Sequence, residues 1–333
     1  MTGHLSIPVH DPSHVGDARR QAVDLARLHG FDEERSGRVA VVLNEMSSNL
    51  VKHASGGGEV LVGVARAEGI AALEILALDH GPGMDVGRSL RDGHSTTGSP
   101  GTGLGAIARM SDLFDIHSAS TGTAVLARIS SRTVRCVPTG LDAAGIAVPL
   151  PGETECGDAF AVSRFPTATR ILLADGLGHG PDAARASEEA ARVFLGRNAR
   201  SLAELFADIH GALRATRGAA VGVAEIDEAQ QVLRFAGVGN VTGAIVTPGV
   251  VRRLVSHDGT VGFAMGTVRE YAYPFPPGAA LVLHSDGVKT SWALDAYPGL
   301  ARRAPALIAG VLYRDFRRGT DDASVVVCSG AAA

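Results

Sequence analysis

The sequence predicts two domains of the α+β class. Its 333 residues are many for one compact domain, and an apolar fraction of 45% can fill two ordinary cores. In the first third, segments with helical spacing precede β-rich runs. In the rest, many short β-rich runs accompany two helical segments early and one late. This order predicts a mostly antiparallel sheet with helices on one face, followed by a β-sandwich flanked by helices.

The first domain is predicted over residues 1–132. Apolar residues at helical spacing predict helices over 15–29 and 104–110. Between them, a second helix is predicted after Gly30, with apolar positions from 39 to 50 on one side, and the glycines at 56–58 end it. β-rich runs predict strands over 59–66, 70–78, 113–118 and 123–129. The Gly-, Ser- and Thr-rich residues 93–103 predict a loop.

The second domain is predicted over residues 145–330, after a linker at 133–144 where proline and glycine break the periodicity. β-rich runs predict strands over 159–164, 169–174, 219–226, 232–237, 244–246, 251–254, 280–284 and 323–328. Helical spacing predicts helices over 182–195, 201–215 and 301–316.

Composition and charge argue against several classes of protein. The net charge of -4 and the lack of any Lys/Arg-rich run give no support for nucleic-acid binding. Three widely spaced cysteines argue against a disulfide framework or a zinc site and favour a reducing compartment. No apolar run reaches the roughly 20 residues that cross a bilayer, and no secretory segment is recognisable. We therefore expect a cytoplasmic protein without a membrane partner; a homodimer is compatible with the sequence.

Glu45 and Asn49 are four residues apart in a predicted helix and therefore share one face. The amide oxygen of Asn49 is a suitable ligand for Mg²⁺, and the carboxylate of Glu45 can accept a proton from an attacking hydroxyl. A solvated helix face is the alternative explanation of this pair.

Two glycine-rich motifs follow along the chain. Asp79 ends an apolar strand and precedes Gly81 and Gly83, which let a flat ring lie close to the backbone. Asp79 could then accept a hydrogen bond from an exocyclic amine such as that of adenine. Residues 101–105 (Gly-Thr-Gly-Leu-Gly) lead into a helix whose exposed N–H groups favour phosphate. An ordinary turn is the alternative for each motif, and no Walker-type Gly-Lys-Ser/Thr sequence is present.

The order of these motifs resembles the GHKL ATPase family, whose fold is a Bergerat-type α/β sandwich. Residues 1–130 resemble its RsbT and SpoIIAB type of serine/threonine kinase, and residues 92–98, 109–112 and 122–123 fit the RsbT branch. The resemblance implies Glu45 as catalytic base, Asn49 as ligand of the Mg²⁺ that accompanies ATP, and Asp79 as the residue that reads adenine. It also implies a phosphate and lid scaffold with further nucleotide contacts at Gly81, Gly83, Thr97, Gly101, Gly103, Leu104, Gly105 and Thr123.

One position departs from this pattern. Some kinases of the family place an arginine just before the last Gly-x-Gly motif, where this chain has Ser99 and Pro100. Lys52 and Arg109 are the remaining candidates for the cation at the γ-phosphate.

Acidic residues mark strand ends in the second domain. Asp158 precedes one predicted strand, Asp175 and Asp286 directly follow apolar strands, and Asp322 precedes the last strand. Carboxylates at strand ends can converge on one rim of a sandwich, where two hard cations need several oxygen ligands. Such a metal pair would share a deprotonated water and direct it at phosphorus. For each motif alone, an ordinary turn is the alternative.

Residues 145–328 are similar to the SpoIIE and RsbX branch of the metal-dependent type 2C protein phosphatases, through residues 157–158, 174–180, 235–240, 285–288 and 321–324. The resemblance implies that Asp175, Asp286 and Asp322 bind two Mn²⁺ or Mg²⁺ ions directly, with the Gly176 carbonyl as a further ligand. Asp158 would bind one ion through water.

Four other residues adjoin these motifs. Glu153 and Glu155 are interpreted as solvated loop charges. His179 and His284 lie next to metal-site aspartates, but an oxygen-rich site for Mg²⁺ or Mn²⁺ needs no histidine ligand.

The first hypothesis is a bifunctional enzyme of bacterial stress or sigma-factor signalling. It would phosphorylate Ser or Thr of a STAS-domain regulatory protein, of the anti-sigma antagonist or stressosome type, and hydrolyse a phosphoserine or phosphothreonine protein. An ATP-gated, anti-sigma-like binding module and an ATP-sensing regulator of the phosphatase are the alternatives. Glu45 argues for the kinase, because binding alone needs no general base.

Overall fold

The computed structural model describes residues 3–54, 56–67, 69–90, 103–133, 140–196 and 201–330. The chain divides into two compact units, residues 4–137 and residues 138–333 together with the first three. Among the described helices, none combines the length and the apolar character that a bilayer crossing requires.

The first unit is a five-stranded antiparallel sheet with helices, as the described residues show it. Its strands are β1 (Leu5–Val9), β2 (Gly58–Ala67), β3 (Ile70–Asp79), β4 (Leu113–Ala119) and β5 (Gly122–Ser130), in the order β1-β2-β3-β5-β4. Its helices are α1 (Pro12–Leu28), α2 (Glu33–His53), α3 (Val86–Ser89) and α4 (Gly103–Met110).

Helices α1, α2 and α4 share one apolar core with this sheet. Val42 and Met46 of α2 and Ile107 of α4 are buried in it. Burial of one side of α2 fixes the rotation of the helix about its axis, because its apolar positions recur at helical spacing. Glu45 and Asn49 lie beside that buried side and are half-buried.

The second unit contains two five-stranded antiparallel sheets within its described residues. The strands of one sheet are β7 (Asp158–Arg164), β8 (Ala168–Gly176), β9 (Ala219–Asp227), β10 (Val232–Val238) and β13 (Tyr271–Pro274). Those of the other are β6 (Leu141–Val148), β11 (Thr242–Thr247), β12 (Val250–Arg253), β14 (Ala280–His284) and β15 (Ala323–Gly330). The helices are α5 (Pro181–Gly196), α6 (Leu202–Leu213) and α7 (Pro305–Phe316).

Two apolar layers hold the second unit together. Phe160 and Phe235 of one sheet pack against Leu283 of the other. Helices α5 and α6 cover the outer side of the first sheet, where Phe206 is fully buried, and α7 contacts β6 and β15 of the second sheet. The unit is therefore a β-sandwich flanked by helices, as the sequence predicted.

Several elements differ from the sequence-based prediction, among them the short helix α3, which was not predicted. Strand β1 was missed because it contains Pro8, and proline argues against a strand. Proline is nevertheless tolerated here, because β1 lies at the edge of its sheet. Strand β6 begins at Leu141, inside the predicted linker 133–144, because its small residues give no strand signal. Strand β13 has only four residues. Helix α7 begins at Pro305 rather than at residue 301, since proline suits a first helical turn.

Candidate active sites

Glu45 and Asn49 converge on the first residue of α4. A methyl group in place of the Gly103 hydrogen would lie 3.3 Å from Oε2 of Glu45 and 3.6 Å from Oδ1 of Asn49. The predicted base, the predicted Mg²⁺ ligand and the glycine-rich helix start thus meet in space, although 54 residues separate Asn49 from Gly103 in the chain. The amide and carboxylate oxygens form a donor set that suits Mg²⁺ beside an open backbone.

Asp79 is held in place by backbone N–H groups from two segments. Its Oδ1 accepts hydrogen bonds from the backbone N–H of Gly81 at 2.7 Å and of Thr123 at 3.1 Å. The end of β3 is thereby joined to the start of β5, which positions the carboxylate. A residue that reads a base edge requires such a fixed orientation.

Glycine is required at Gly83 for two reasons. Its φ is +77°, a conformation that other residues rarely adopt. A Cβ there would also lie 2.4 Å from the carbonyl oxygen of Ala119, which is too close for any side chain. The backbone after Asp79 therefore follows a path that only glycine permits.

A hydroxyl pair that the sequence did not reveal lies next to these residues. Ser118 Oγ and Thr123 Oγ1 are 2.9 Å apart, and the backbone N–H of Met84 donates to Ser118 Oγ at 2.8 Å. Thr123 is buried, as are Leu104 and Gly105 of α4. The hairpin of β4 and β5 pairs Ser118 with Thr123. The contact of Ser118 with Met84 joins segments that are distant in sequence, so no local sequence signal could have indicated it.

Two predicted nucleotide contacts, Thr97 and Gly101, lie outside the described residues. Lys52 and Arg109 are both exposed, near the ends of α2 and α4. They remain candidates for the cation at the γ-phosphate.

In the second unit, Asp158 and Asp175 lie directly opposite each other on β7 and β8. The neighbouring residues Gly157 and Gly176 are joined by a backbone hydrogen bond of 3.0 Å. Asp158 and Asp175 therefore occupy the next, non-hydrogen-bonded pair, in which Cα atoms are only about 4.5 Å apart and side chains share one face. The strand register places two carboxylates side by side.

Asp286 and Asp322 come to the same rim from the other sheet. The backbone N–H of Ser285 donates to the carbonyl oxygen of Ser324 at 3.2 Å, which aligns the end of β14 with the start of β15. A Cβ on Gly287 would lie 1.9 Å from the carbonyl oxygen of Asp322, and one on Gly157 would lie 2.5 Å from Asp322 Oδ2. Glycine at both positions allows the backbone to approach Asp322 closely.

Gly176 ends β8 at the same rim. A Cβ there would lie 2.1 Å from the carbonyl oxygen of Ala183, so the start of α5 packs directly on this glycine. The backbone of the predicted carbonyl ligand is thus fixed by a strand and by a helix.

Burial and mutual repulsion raise the pKa of these carboxyl groups. Burial raises the pKa of Asp175 most, and the charges of Asp158, Asp286, Asp321 and Asp322 raise it further. Burial also dominates the upward pKa shifts of Asp158, Asp286 and Asp322. Asp321, which the sequence analysis did not include in the site, contributes to each of these shifts. Its role follows from its position next to Asp322.

Two oxygens of the cluster have no hydrogen-bond partner in the described part of the chain: Asp175 Oδ2 and Asp322 Oδ2 are both buried. Buried carboxylate oxygens without donors fit divalent cations, which would satisfy them and cancel the repulsion. Within the same residues, no three Asp, Glu, His or Cys side chains already form a cation site.

Asn240 is a further site residue that the predictions did not include. Its Nδ2 donates to Asp286 Oδ2 at 2.6 Å. The motif at residues 235–240 contained it, but the sequence could not show which side chain it would meet. The contact orients the Asp286 carboxylate from beside the acidic cluster.

The neighbouring residues behave differently from one another. Glu153 keeps 29% of its side chain exposed, and its Oε1 lies 2.7 Å from Nδ1 of His179. Glu155 is exposed, in agreement with the prediction. Burial lowers the pKa of His284 to about 4, and its Nδ1–H donates to the Ser285 carbonyl at 2.8 Å. Cys156 lies in the apolar core, where burial raises the pKa of its thiol.

Two families of known proteins match this chain, one for each unit. Residues 9–129 match the histidine kinase-like ATPase domain, and residues 166–329 match stage II sporulation protein E (SpoIIE). The serine/threonine-protein kinase RsbT of Bacillus subtilis (strain 168) is 32% identical over 112 residues, which are 33% of this chain and 84% of RsbT.

Two solved structures are also similar. One structure was reported for the bacterial stressosome, described as a modular system adapted to control secondary messenger signalling. It is 28% identical to this chain, with a TM-score of 0.53. The match covers 56% of this chain and 98% of that one. A crystal structure of RsbX in complex with magnesium is 17% identical with a TM-score of 0.50, over 59% of this chain and 98% of that one. The second likeness concerns the fold alone.

Proposed function

We propose a two-way phosphorylation switch for this chain, which belongs to the RsbT family of kinase-fold ATPases and continues into a SpoIIE-type phosphatase domain. The first domain would phosphorylate a protein, and the second would remove phosphate from a protein. One observation carries the proposal: a single chain contains both the Glu45–Asn49 pair at Gly103 and the buried carboxylates around Asp175.

In the kinase domain, Glu45 would accept the proton of the attacking Ser or Thr hydroxyl, since its carboxylate faces the start of α4. Asn49 would hold Mg²⁺, which neutralises charge on the ATP phosphates when bound. Asp79 would accept the hydrogen bond of the adenine amine. The N–H groups at the start of α4 would hold phosphate oxygens.

In the phosphatase domain, Asp175, Asp286, Asp322 and the Gly176 carbonyl would hold two Mn²⁺ or Mg²⁺ ions, with Asp158 behind a water ligand. When bound, such ions supply a water activated for attack and neutralise charge on the phosphate. Asn240 would keep Asp286 in its binding orientation. His179, which pairs with Glu153, would supply a proton to the leaving oxygen.

The proposed partners are STAS-domain regulatory proteins of the anti-sigma antagonist or stressosome type. Two likenesses support this choice: RsbT, a serine/threonine-protein kinase, and the structure reported for the bacterial stressosome. The sites themselves indicate only the reacting groups: a Ser or Thr hydroxyl for the proposed kinase, and the phosphate ester of such a hydroxyl for the proposed phosphatase.

The kinase activity is tested by transfer of radiolabelled phosphate from ATP to a panel of STAS-domain proteins. We expect the full-length protein to label at least one of them, and Glu45→Ala to abolish labelling while ATP still binds. Glu34→Ala is the matched control, because Glu34 is an exposed residue of the same helix whose carboxylate pairs with the nearby Arg38. Undiminished labelling by Glu45→Ala would remove Glu45 as the base.

The phosphatase activity is tested by Mn²⁺-dependent release of phosphate from a phosphoserine protein. We expect Asp175→Asn and Asp286→Asn to abolish release, and the exposed Asp258→Asn control to retain it. Full activity of either site variant would overturn the metal assignment. ATP that binds without any phosphotransfer would instead favour the ATP-gated binding module.

A further inference from the structure

Arg318 lies beside the acidic cluster, and its charge has no partner among the residues that the structure describes. Its backbone N–H donates to the carbonyl oxygen of Gly287 at 2.8 Å, one residue after Asp286. The side chain is exposed, and no hydrogen bond or ion pair engages its guanidinium within the residues that the structure describes. An arginine with a held backbone and an exposed, unpaired guanidinium thus lies at the rim of the proposed phosphatase site.

The backbone of Arg318 is held on both sides. Val288 and Arg317 form an antiparallel bridge, and the N–H of Lys289 donates to the carbonyl of Phe316 at 2.8 Å. Residues 316–318 therefore run alongside the segment that continues from Asp286. Gly319, with a φ of +73°, turns the chain towards Asp321 and Asp322. Arg318 is placed between the two segments that carry these acids.

The charge of Arg318 is not taken up by Asp286. The backbone of Arg318 is hydrogen-bonded to Gly287, the residue after Asp286, yet no ion pair joins the two side chains. The exposed guanidinium is therefore available to another anion at this edge of the acidic cluster.

We propose that Arg318 captures the phosphate of the substrate at the phosphatase centre. A guanidinium offers two parallel N–H groups that match two phosphate oxygens. The carboxylates of the cluster repel a phosphate dianion, so a cation at their edge favours its approach. The substrate class is a dianionic phosphomonoester carried by a protein; the inference rests on the proposed phosphatase function.

The neighbouring arginine provides a matched control. Arg317 carries the same charge one residue earlier, but its guanidinium donates to the Tyr313 hydroxyl and lies 5.0 Å from the centre of the Tyr313 ring. The guanidinium of Arg317 is thus held against Tyr313 of α7. Replacement of Arg317 tests the general effect of one lost positive charge on this segment.

The test compares full-length Arg318→Ala, Arg318→Lys and Arg317→Ala with the wild type. Binding of inorganic phosphate to the Mn²⁺-loaded proteins is measured by calorimetry, and hydrolysis of para-nitrophenyl phosphate gives KM and kcat. For Arg318→Ala we expect phosphate affinity to fall and KM to rise by about 10- to 100-fold, the effect of a lost charge-assisted hydrogen bond. We expect kcat to change less, and Arg318→Lys to recover part of the loss.

Measurement of Mn²⁺ affinity distinguishes a phosphate-binding role of Arg318 from a purely structural one. Loss of a positive charge near Asp286 is expected to leave Mn²⁺ binding unchanged or slightly tighter, whereas a disrupted segment would weaken it. Unchanged phosphate affinity in Arg318→Ala, or an equal loss in Arg317→Ala, would overturn the assignment. Absence of wild-type hydrolysis would count against the proposed function, and the calorimetric comparison would still decide the role of Arg318.

Discussion

The hydroxyl of Ser324 donates a hydrogen bond of 2.7 Å to Oδ2 of Asp158, and so joins the two sheets of the second unit at the acidic cluster. Both residues are buried. The backbone N–H of Ser324 also donates to Oγ of Ser285, the residue directly after β14, at 3.1 Å. One serine thus fixes a carboxylate of the first sheet relative to the strands that carry Asp286 and Asp322.

Replacement of Ser324 by alanine is expected to destabilise the second unit. It removes a donor to a buried carboxylate, which costs about 1–3 kcal/mol in the free energy of unfolding. Chemical denaturation followed by the fluorescence of Trp292 measures the effect, because this sole tryptophan is buried in the second unit. Ser329→Ala on the same strand is the control, since among the described residues the Ser329 hydroxyl makes a single, long contact of 3.4 Å, to the Gly330 carbonyl. Equal stability of both variants would show that the Ser324 bond contributes little.

The metal-free protein is expected to lose stability in its second unit as the pH rises above about 4. Burial raises the pKa of Asp158 and Asp175, so the folded state holds protons that the unfolded chain releases. That stability is complete below the unfolded pKa and is lost as the pH rises through the folded values. Denaturation in EDTA across a pH series measures the slope, and Mn²⁺ should restore stability most at high pH.

Asp175→Asn is expected to stabilise the metal-free protein while it abolishes Mn²⁺ binding. Burial raises the pKa of the Asp175 carboxyl to about 9, so the folded wild type must keep it protonated at pH 8, at a cost of about 1.4 kcal/mol for each pH unit above the unfolded pKa. The amide carries no such cost. Its stability should also depend less on pH than that of the wild type. Asp258→Asn, an exposed change of the same kind, should alter neither property. A less stable Asp175→Asn protein in EDTA would contradict the proposed repulsion.

Loss of the Asn240 amide is expected to weaken Mn²⁺ binding by roughly 10- to 100-fold, the usual effect of removing a residue that orients a metal ligand. Asn240→Asp should weaken it by disturbing Asp286 with a second negative charge, whereas Asn240→Ala only removes the donor. Calorimetric titration with Mn²⁺ measures both, with the exposed Gln230→Ala as control. Wild-type affinity in Asn240→Ala would exclude an orienting role.

Gly103→Ala is expected to reduce phosphotransfer about tenfold or more without unfolding the first unit. The added methyl would lie 3.3 Å from Glu45 Oε2, so the carboxylate must shift, and small displacements of a catalytic group are costly. Gly37→Ala on α2 is the control, because a methyl there meets no atom within 4 Å. Equal transfer rates for the two variants would show that Glu45 is not confined by Gly103.

Strong local patterns made most helices and strands predictable. The apolar side of α2 was visible as Val39, Val42, Leu43, Met46 and Leu50, and all five are buried. Strand β6 was missed because Ala143, Ala144 and Gly145 lack the side chains that mark a strand, and its identity comes from pairing with β15, which is distant in sequence.

In the candidate sites, too, some residues could be predicted from local sequence and others could not. Asp158, Asp175, Asp286 and Asp322 could be selected from strand ends, because a residue that follows a buried strand is visible in the sequence. Asn240 and Ser324 could not be assigned, because their hydrogen bonds to Asp286 and Asp158 depend on contacts between distant segments. Local patterns identify the acids, whereas tertiary pairing identifies the residues that hold them.

The most direct test of the switch is a time course of phosphate on one STAS-domain partner, with limiting ATP, Mg²⁺ and Mn²⁺. With the wild-type protein, labelling should rise and then fall as ATP is consumed. With Asp175→Asn it should rise to a plateau, and with Glu45→Ala it should never appear. A partner that the wild-type protein phosphorylates, and that stays phosphorylated after ATP is exhausted, would contradict a switch in which both domains act on the same protein.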